Sequence, residues 1–191
     1  MVLLSAVILG CLVGWGVARA KKGRYQAPGL NHIWLVVAAF LPQLAIAYVP
    51  SAQPIVPDWL SSIVLVASLV VFLAFVWLNR RLPGMPVLMT GLVLNLLVIA
   101  SNGGWMPISP DTASHLRGGD SLQTADLGRR FGQKDVLLLP QDTHLAPLAD
   151  RFLLPAASPY QTAFSPGDIL VAIGVFWLLA RPSTDPEIST E

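Results

Sequence analysis

The chain has 191 residues, 54% of them apolar and 12% charged, with a formal net charge of +1. Soluble domains carry about twice that charged fraction, so the composition excludes an ordinary water-soluble domain, and the near-neutral balance excludes nucleic acid as an expected partner. One cysteine, Cys11, rules out an intramolecular disulfide; it lies in the first apolar run, where a packed or lipid-facing thiol is the ordinary reading.

That first run, Val2 to Ala18, has no basic residue before it and Arg19, Lys21, Lys22 and Arg24 after it. A secretory signal has the reverse order. Ala18-Arg19-Ala20 resembles a cleavage site, but the pattern predicts an uncleaved helix with an extracytoplasmic start and a cytoplasmic basic end. Gly10 and Gly14 stand at G-x-x-x-G spacing, which opens a face to a membrane-protein partner; a helix that merely tolerates glycine is the alternative.

Pro28, Gly29 and Asn31 precede the second run, Ile33 to Val49, in which Pro42 should kink a helix and Gln43 needs a polar partner. His32 falls at headgroup level and receives no role. Pro50 to Asp58, with its prolines and no basic residue, predicts an extended outer loop. Trp59 to Leu78 is long enough to cross about 30 Å of hydrocarbon, with Trp59 and Trp77 at its interfaces. Asn79-Arg80-Arg81-Leu82-Pro83-Gly84 then returns the chain on the cytoplasmic side. The fourth run, Met85 to Ala100, carries Gly91 and Asn95; the Asn95 amide is expected to bond between helices, with a substrate contact as the rival reading.

Asn102-Gly103-Gly104-Trp105-Met106-Pro107-Ile108-Ser109-Pro110 follows, a turn-rich stretch expected at the outer membrane surface. Residues 101–165 hold six aspartates and five basic residues, too many charges to span, and are expected to form an extracytoplasmic, partly interfacial cap with short helices. Ser109 and Pro110 predict a helix start, running to about Leu116 and stopped by Gly118-Gly119. Val136 to Leu139, Leu148, Phe152, Leu153 and Leu154 are expected to rest on the bilayer or on helix ends. Asp150-Arg151 reads as a solvated or interfacial ion pair. His115 near Asp111 and His144 near Asp142 could in principle make a metal or acid-base site, with chance proximity as the ordinary reading.

Ser165-Pro166-Gly167-Asp168 opens the last run as an acidic capping box, so Asp168 can be satisfied locally; a proton or cation site is the alternative. From Ser165 to Ala180 the helix measures about 24 Å, short for a span, and it is expected to cross or re-enter the membrane. The tail 182–191 is expected to be disordered and cytoplasmic. Phosphate loops, nucleophile elbows, zinc pairs and Cys/His metal spacings do not occur, so no catalytic, cofactor or metal residue is assigned.

Asn102-Gly103-Gly104 with Met106-Pro107-Ile108-Ser109-Pro110, and Ser165-Pro166-Gly167-Asp168-Ile169-Leu170 with Ala172-Ile173-Gly174, resemble the motifs of a family of small bacterial multi-pass membrane proteins known as a domain of unknown function. The resemblance implies a bacterial cytoplasmic membrane and about five spans, and supplies no activity. The expectation is therefore an all-α membrane protein. Residues 1–100 form a four-helix transmembrane region, 101–165 the outer cap, 166–181 a fifth transmembrane or re-entrant helix, and 182–191 the tail. Its leading functional reading is a non-catalytic accessory or scaffold component in the lipid bilayer. The alternative is a small transport or membrane-enzyme module with a polar pocket near the outer face around Asp168, Asn95 and Asn102, with Gln43 as a further member.

Overall fold

In the computed structural model the described residues are 2–48, 56–118, 126–155 and 161–181. The loop expected at 50–58 falls mostly outside them; Gly119 and the tail 182–191 fall wholly outside. Among them six α-helices follow in chain order: α1 (Val2–Ala20), α2 (Trp34–Tyr48), α3 (Asp58–Leu78), α4 (Met85–Ser101), α5 (Pro110–Leu116) and α6 (Pro166–Ala180). All but α5 are apolar and build the body. Two, α1 with 19 residues and α3 with 21, are long and apolar enough to cross a membrane, and α2, α4 and α6 are shorter. Pro42 lies inside α2.

Small residues set the packing. Helices α4 and α6 run antiparallel, with Gly91 against Gly167 and Gly84 against Gly174. The seven-residue spacing on both partners places each pair on one face two turns apart. A Cβ on Gly91 would lie 2.5 Å from the Gly167 carbonyl oxygen, and one on Gly174 would lie 2.6 Å from the Leu88 nitrogen. Only hydrogen fits there. Gly10 and Gly14, whose face was expected to be open to a membrane partner, instead meet α6 of the same chain, where a Cβ on Gly14 would stand 2.3 Å from the Leu179 carbonyl oxygen. Phe75, Val76, Met85, Leu88, Leu92 and Val171 fill the core between α3, α4 and α6.

The two ends of the body differ. At one end the Tyr25 hydroxyl donates to the Leu179 carbonyl at 3.1 Å. Nearby, Asn79 grips the Asn31 backbone, accepting from its N–H at 2.8 Å and donating to its carbonyl at 3.0 Å. Arg19, Arg80 and Arg181 lie at this end, each over an exposed tryptophan: Trp15 at 5.5 Å, Trp77 at 4.6 Å and Trp177 at 5.4 Å. Cation–π attraction holds each pair, and the rings form an aromatic level beside the basic residues. Along α1 to α3, Leu4, Leu9, Leu12, Val37, Leu41 and Ile63 are exposed.

Residues 102–118, 126–155 and 161–165 cover the opposite end, where α4 finishes and α6 begins. The all-α expectation fails here. Strands β1 (Met106–Ile108), β2 (Arg130–Phe131) and β3 (Asp135–Leu137) form a sheet in the order β1-β3-β2, with β1 parallel and β2 antiparallel to β3. A second pair, β4 (Phe152–Leu153) and β5 (Ala163–Phe164), is antiparallel. Proline and glycine interrupt this region too often for a long helix, so apart from α5 many backbone groups are satisfied across short extended pieces.

Ile108, Ala113 and Leu137 pack with Ala163 as the cap's own core. Leu148 joins Leu65, Val98, Ile99 and Met106 below. The apolar residues expected on the bilayer surface or on the helix ends therefore divide, with Leu148 on the helix ends, Val136 and Leu137 buried, and Phe152 exposed against Phe164. Helix α5 begins as its sequence dictates, the Ser109 hydroxyl accepting from the Thr112 N–H at 3.1 Å.

Candidate site between the cap and the helices

The first turn of α6 builds one wall. Asp168 N–H donates to Ser165 Oγ at 3.0 Å, and Ser165 N–H donates to Asp168 Oδ2 at 3.1 Å, a reciprocal capping box. Two further bonds tie this turn to α4: Asn95 Nδ2 donates to Asp168 Oδ1 at 2.8 Å, and Ser165 Oγ donates to Asn95 Oδ1 at 2.9 Å. A Cβ on Gly167 would lie 2.0 Å from Asn95 Oδ1, so glycine is what admits the amide between the helices. Asp168 is thus a cap and an interhelical acceptor together.

Asn95 and Asp168 also line an interhelical slot of about 200 Å³, with Gln43 and Ser68 as further polar walls, Phe40, Phe72 and Leu92 among the apolar ones, and Lys134 reaching it from the cap. Gln43, Leu65 and Lys134 also line a second chamber of about 260 Å³, completed by Ser61, Arg130, Gln133 and Asp135. Ser61 Oγ and Arg130 Nε are buried without a hydrogen-bond partner. Each such atom costs about 1–3 kcal/mol, which marks the chamber wall as unfinished by the protein itself. The Arg130 guanidinium lies 4.7 Å over Trp105, donates to the Gln133 carbonyl at 2.9 Å and stands 3.6 Å from the exposed Asp58 carboxylate.

Lys134 is the charged centre. Its ammonium donates to Asp135 Oδ1 at 2.9 Å and to Asp150 Oδ2 in a very close contact. The side chain keeps 40% of its surface accessible because it borders the two cavities, whereas the Asp150 side chain is fully buried. Burial alone would lower the lysine pKa, but the carboxylates of Asp135, Asp150 and Asp168 outweigh it and hold the pKa above its usual value. Burial pushes Asp150 up to about 7, opposed by Lys134 and reinforced by Asp135 and Asp168. Asp135 is raised for the same first reason, with Lys134 again opposing. Asp150 Oδ1 has no partner, and Asp150 also borders a third cavity of about 390 Å³ under Ser109, Thr112 and Thr143.

The backbone of the proline-rich stretch sets this ion pair. Met106 N–H donates to the Lys134 carbonyl at 2.8 Å, and Asp150 N–H donates to the Pro107 carbonyl at 3.1 Å. Met106 and Pro107 therefore carry Lys134 and Asp150 on either side of β1. The expected solvated or interfacial Asp150-Arg151 ion pair is corrected: Asp150 turns inward to Lys134, and Arg151 lies over Phe152.

Asn102 does not join Asp168. Its Nδ2 donates to the Val98 carbonyl at 2.7 Å and the His144 carbonyl at 2.8 Å, and its Oδ1 accepts from the His144 N–H at 2.9 Å, pinning the cap to the end of α4. Gly103 and Gly104 turn the chain beyond it, Gly104 against Ser62, and Ser109 and Pro110 start α5. His115 bonds the Asp111 backbone carbonyl at 2.8 Å, and among the described residues no group of three His, Cys, Asp or Glu is placed to hold a metal ion. Sequence reasoning missed Lys134, Asp135, Arg130 and Ser61. The available signal was Asp150 itself, a charge set between Leu148 and the apolar 152–154.

An uncharacterized protein of Thermotoga maritima is 32% identical over 177 residues, covering 92% of this chain and 86% of the relative. No solved structure matches. Residues 29–180, which include every cap and helix contribution to the cavities except those of α1, match the model of the Family of unknown function (DUF5317), and the chain belongs to that family.

Proposed function

We propose that the chain is a multi-pass protein of the bacterial cytoplasmic membrane that binds a small ligand between an outer cap and five spanning helices, as a transport or membrane-enzyme module rather than as a scaffold. The observation that carries this reading is the Asp168 carboxylate. It is bonded to Asn95 across helices and borders a slot shared with Gln43 and Lys134. A polar system of this kind at the end of an apolar bundle marks a ligand or ion pathway more often than a static joint. A scaffold has no use for the adjoining chamber, whose walls carry unpartnered Ser61 Oγ and Arg130 Nε.

The membrane placement rests on the exposed apolar faces of α1 to α3 and on the tryptophan level beside Arg19, Arg80 and Arg181. The positive-inside rule puts that end in the cytoplasm, and with it both the end of α1 and the end of α6. The cap then lies outside. In a Cys11→Ala background, Arg129→Cys should react with a thiol reagent that cannot cross membranes, and Arg24→Cys should react only after the membrane is opened. The reverse pattern would invert the orientation.

For the ligand reading, the protein is purified from its own membranes in mild detergent and weighed intact by native mass spectrometry. A non-protein mass is expected to remain bound to the wild type and to be reduced at least about tenfold in Arg130→Gln, the loss expected for one charge-assisted contact. A stoichiometric protein partner with no small molecule retained would return the chain to the scaffold class.

A further inference from the structure

The two cavities share Gln43, Leu65 and Lys134 as walls and differ in chemistry. The chamber nearer the cap is walled by Ser61, Arg130, Gln133, Lys134 and Asp135. The slot reaches between the helices; two of its polar walls, Asn95 and Asp168, already satisfy one another, and Gln43 and Ser68 stand among a larger apolar lining that includes Phe40, Leu69, Phe72 and Leu92. A wholly hydrophilic solute in the slot would give up water against mostly apolar walls, whereas a hydrocarbon chain gains in proportion to the surface it buries.

We propose that the paired cavities hold a single-chain amphiphile with an acidic headgroup, its carboxylate or phosphate in the chamber beside Arg130 and Ser61 and its chain in the slot. This rests on the ligand reading above and names the ligand class. The sign of the headgroup follows from what the walls have left to offer. Asp135 Oδ1 and Asp150 Oδ2 are engaged by Lys134, while the lining residues Arg130 and Ser61 carry an unpartnered guanidinium N–H and an unpartnered hydroxyl, Arg130 also standing 3.6 Å from the exposed Asp58 carboxylate. Ser61 is 5% exposed, so no bulk water serves its hydroxyl.

A guanidinium whose ring-face contact with Trp105 fixes its plane offers its fork to a carboxylate or phosphate, a match a lysine cannot reproduce. One chain follows from size: the slot of about 200 Å³ takes only the first part of one chain and has no space for two. The polarity of the pair, head toward the cap and tail between the helices, is also that of an outer-leaflet lipid. Such a molecule enters without inverting.

The test uses the full-length protein in a neutral, uncharged detergent, with oleate, lysophosphatidate, oleyl alcohol and inorganic phosphate as separate probes, and native mass spectrometry with thermal shift as readouts. Oleate or lysophosphatidate should bind at one per chain and at least tenfold more tightly than oleyl alcohol. Which of the two binds better distinguishes a carboxylate from a phosphate site. Ser68→Leu, which fills the slot with a residue suited to a helix, should abolish the advantage of the chain, and Ser61→Ala should weaken both acidic amphiphiles without changing oleyl alcohol.

Equal binding of oleyl alcohol and oleate would overturn the acidic headgroup. Phosphate binding as tightly as lysophosphatidate would overturn the chain while leaving a ligand chamber. Retention of none of the four would overturn the proposal; the chamber reading would still be decided separately by the mass retained from native membranes.

Discussion

Gly84→Ala should lower the melting temperature of the detergent-solubilised protein by roughly 6–12 °C, whereas Gly103→Ala should lower it by about 2–4 °C, taking about 3 and about 1 kcal/mol at 2–4 °C each for a chain of this size. Both glycines hold left-handed backbone, with φ of +82° and +72°. A non-glycine residue in that region costs about 1–2 kcal/mol whatever surrounds it. Their surroundings differ. A methyl at Gly103 meets nothing within 4 Å, but one at Gly84 would lie 2.2 Å from the Gly174 carbonyl oxygen and 2.8 Å from the Leu178 nitrogen.

Those are backbone atoms of α6, and no rotamer change removes them, so α6 must shift along α4 and loosen Leu88, Leu178 and Val171 behind it. The shift would also draw Gly167 away from Asn95, so the variant should lose ligand retention together with stability. Equal losses in the two variants would show that conformational strain, not helix approach, is what Gly84 supplies.

The helical body was legible because apolar runs broken by Pro28-Gly29, Pro83-Gly84 and Pro166-Gly167 announce their own ends; α3 starts one residue before Trp59 and α6 starts at its expected cap. The strands were not legible. Two or three residues such as Arg130–Phe131 show no alternation, and their pairing depends on partners far along the chain. The same distance hid the charged centre. Lys134 and Asp150 are 16 residues apart, and only the insertion of Met106 and Pro107 between their backbones makes them neighbours. The motif at Asn102 to Pro110 could be recognised, but its task could not, because its side chains mostly build turns while its backbone places residues outside it. Asn95 and Asp168, by contrast, declared themselves as polar groups in apolar runs, which must find partners.

Between pH 5 and pH 8 the wild-type protein should become less stable as pH rises, and Asp150→Asn should remove most of that slope. The sign follows from the carboxyl group's preference. Asp150 titrates near 7 in the fold, against about 4 in an unfolded chain, so across that interval the folded state holds more protons. Stability then falls with pH from about 4 to about 7 and is flat above, and a three-unit difference corresponds to at most about 4 kcal/mol.

Asp135, raised in the same direction, adds to the slope, while Lys134, raised above its ordinary value, stays charged throughout and contributes nothing to it. Physically, the Asp150 carboxylate is fully buried with Asp135 and Asp168 near it, and a proton on it relieves its desolvation and its repulsion by those two. Lys134→Met should accentuate the behaviour. It leaves Asp135 and Asp150 without their cation, costs about 3–5 kcal/mol at pH 8, and costs less at pH 5, where Asp150 is already neutral. Thermal unfolding of the three proteins at the two pH values decides the point: parallel curves for wild type and Asp150→Asn would mean that Asp150 stays ionised in the fold and that Lys134 alone satisfies it.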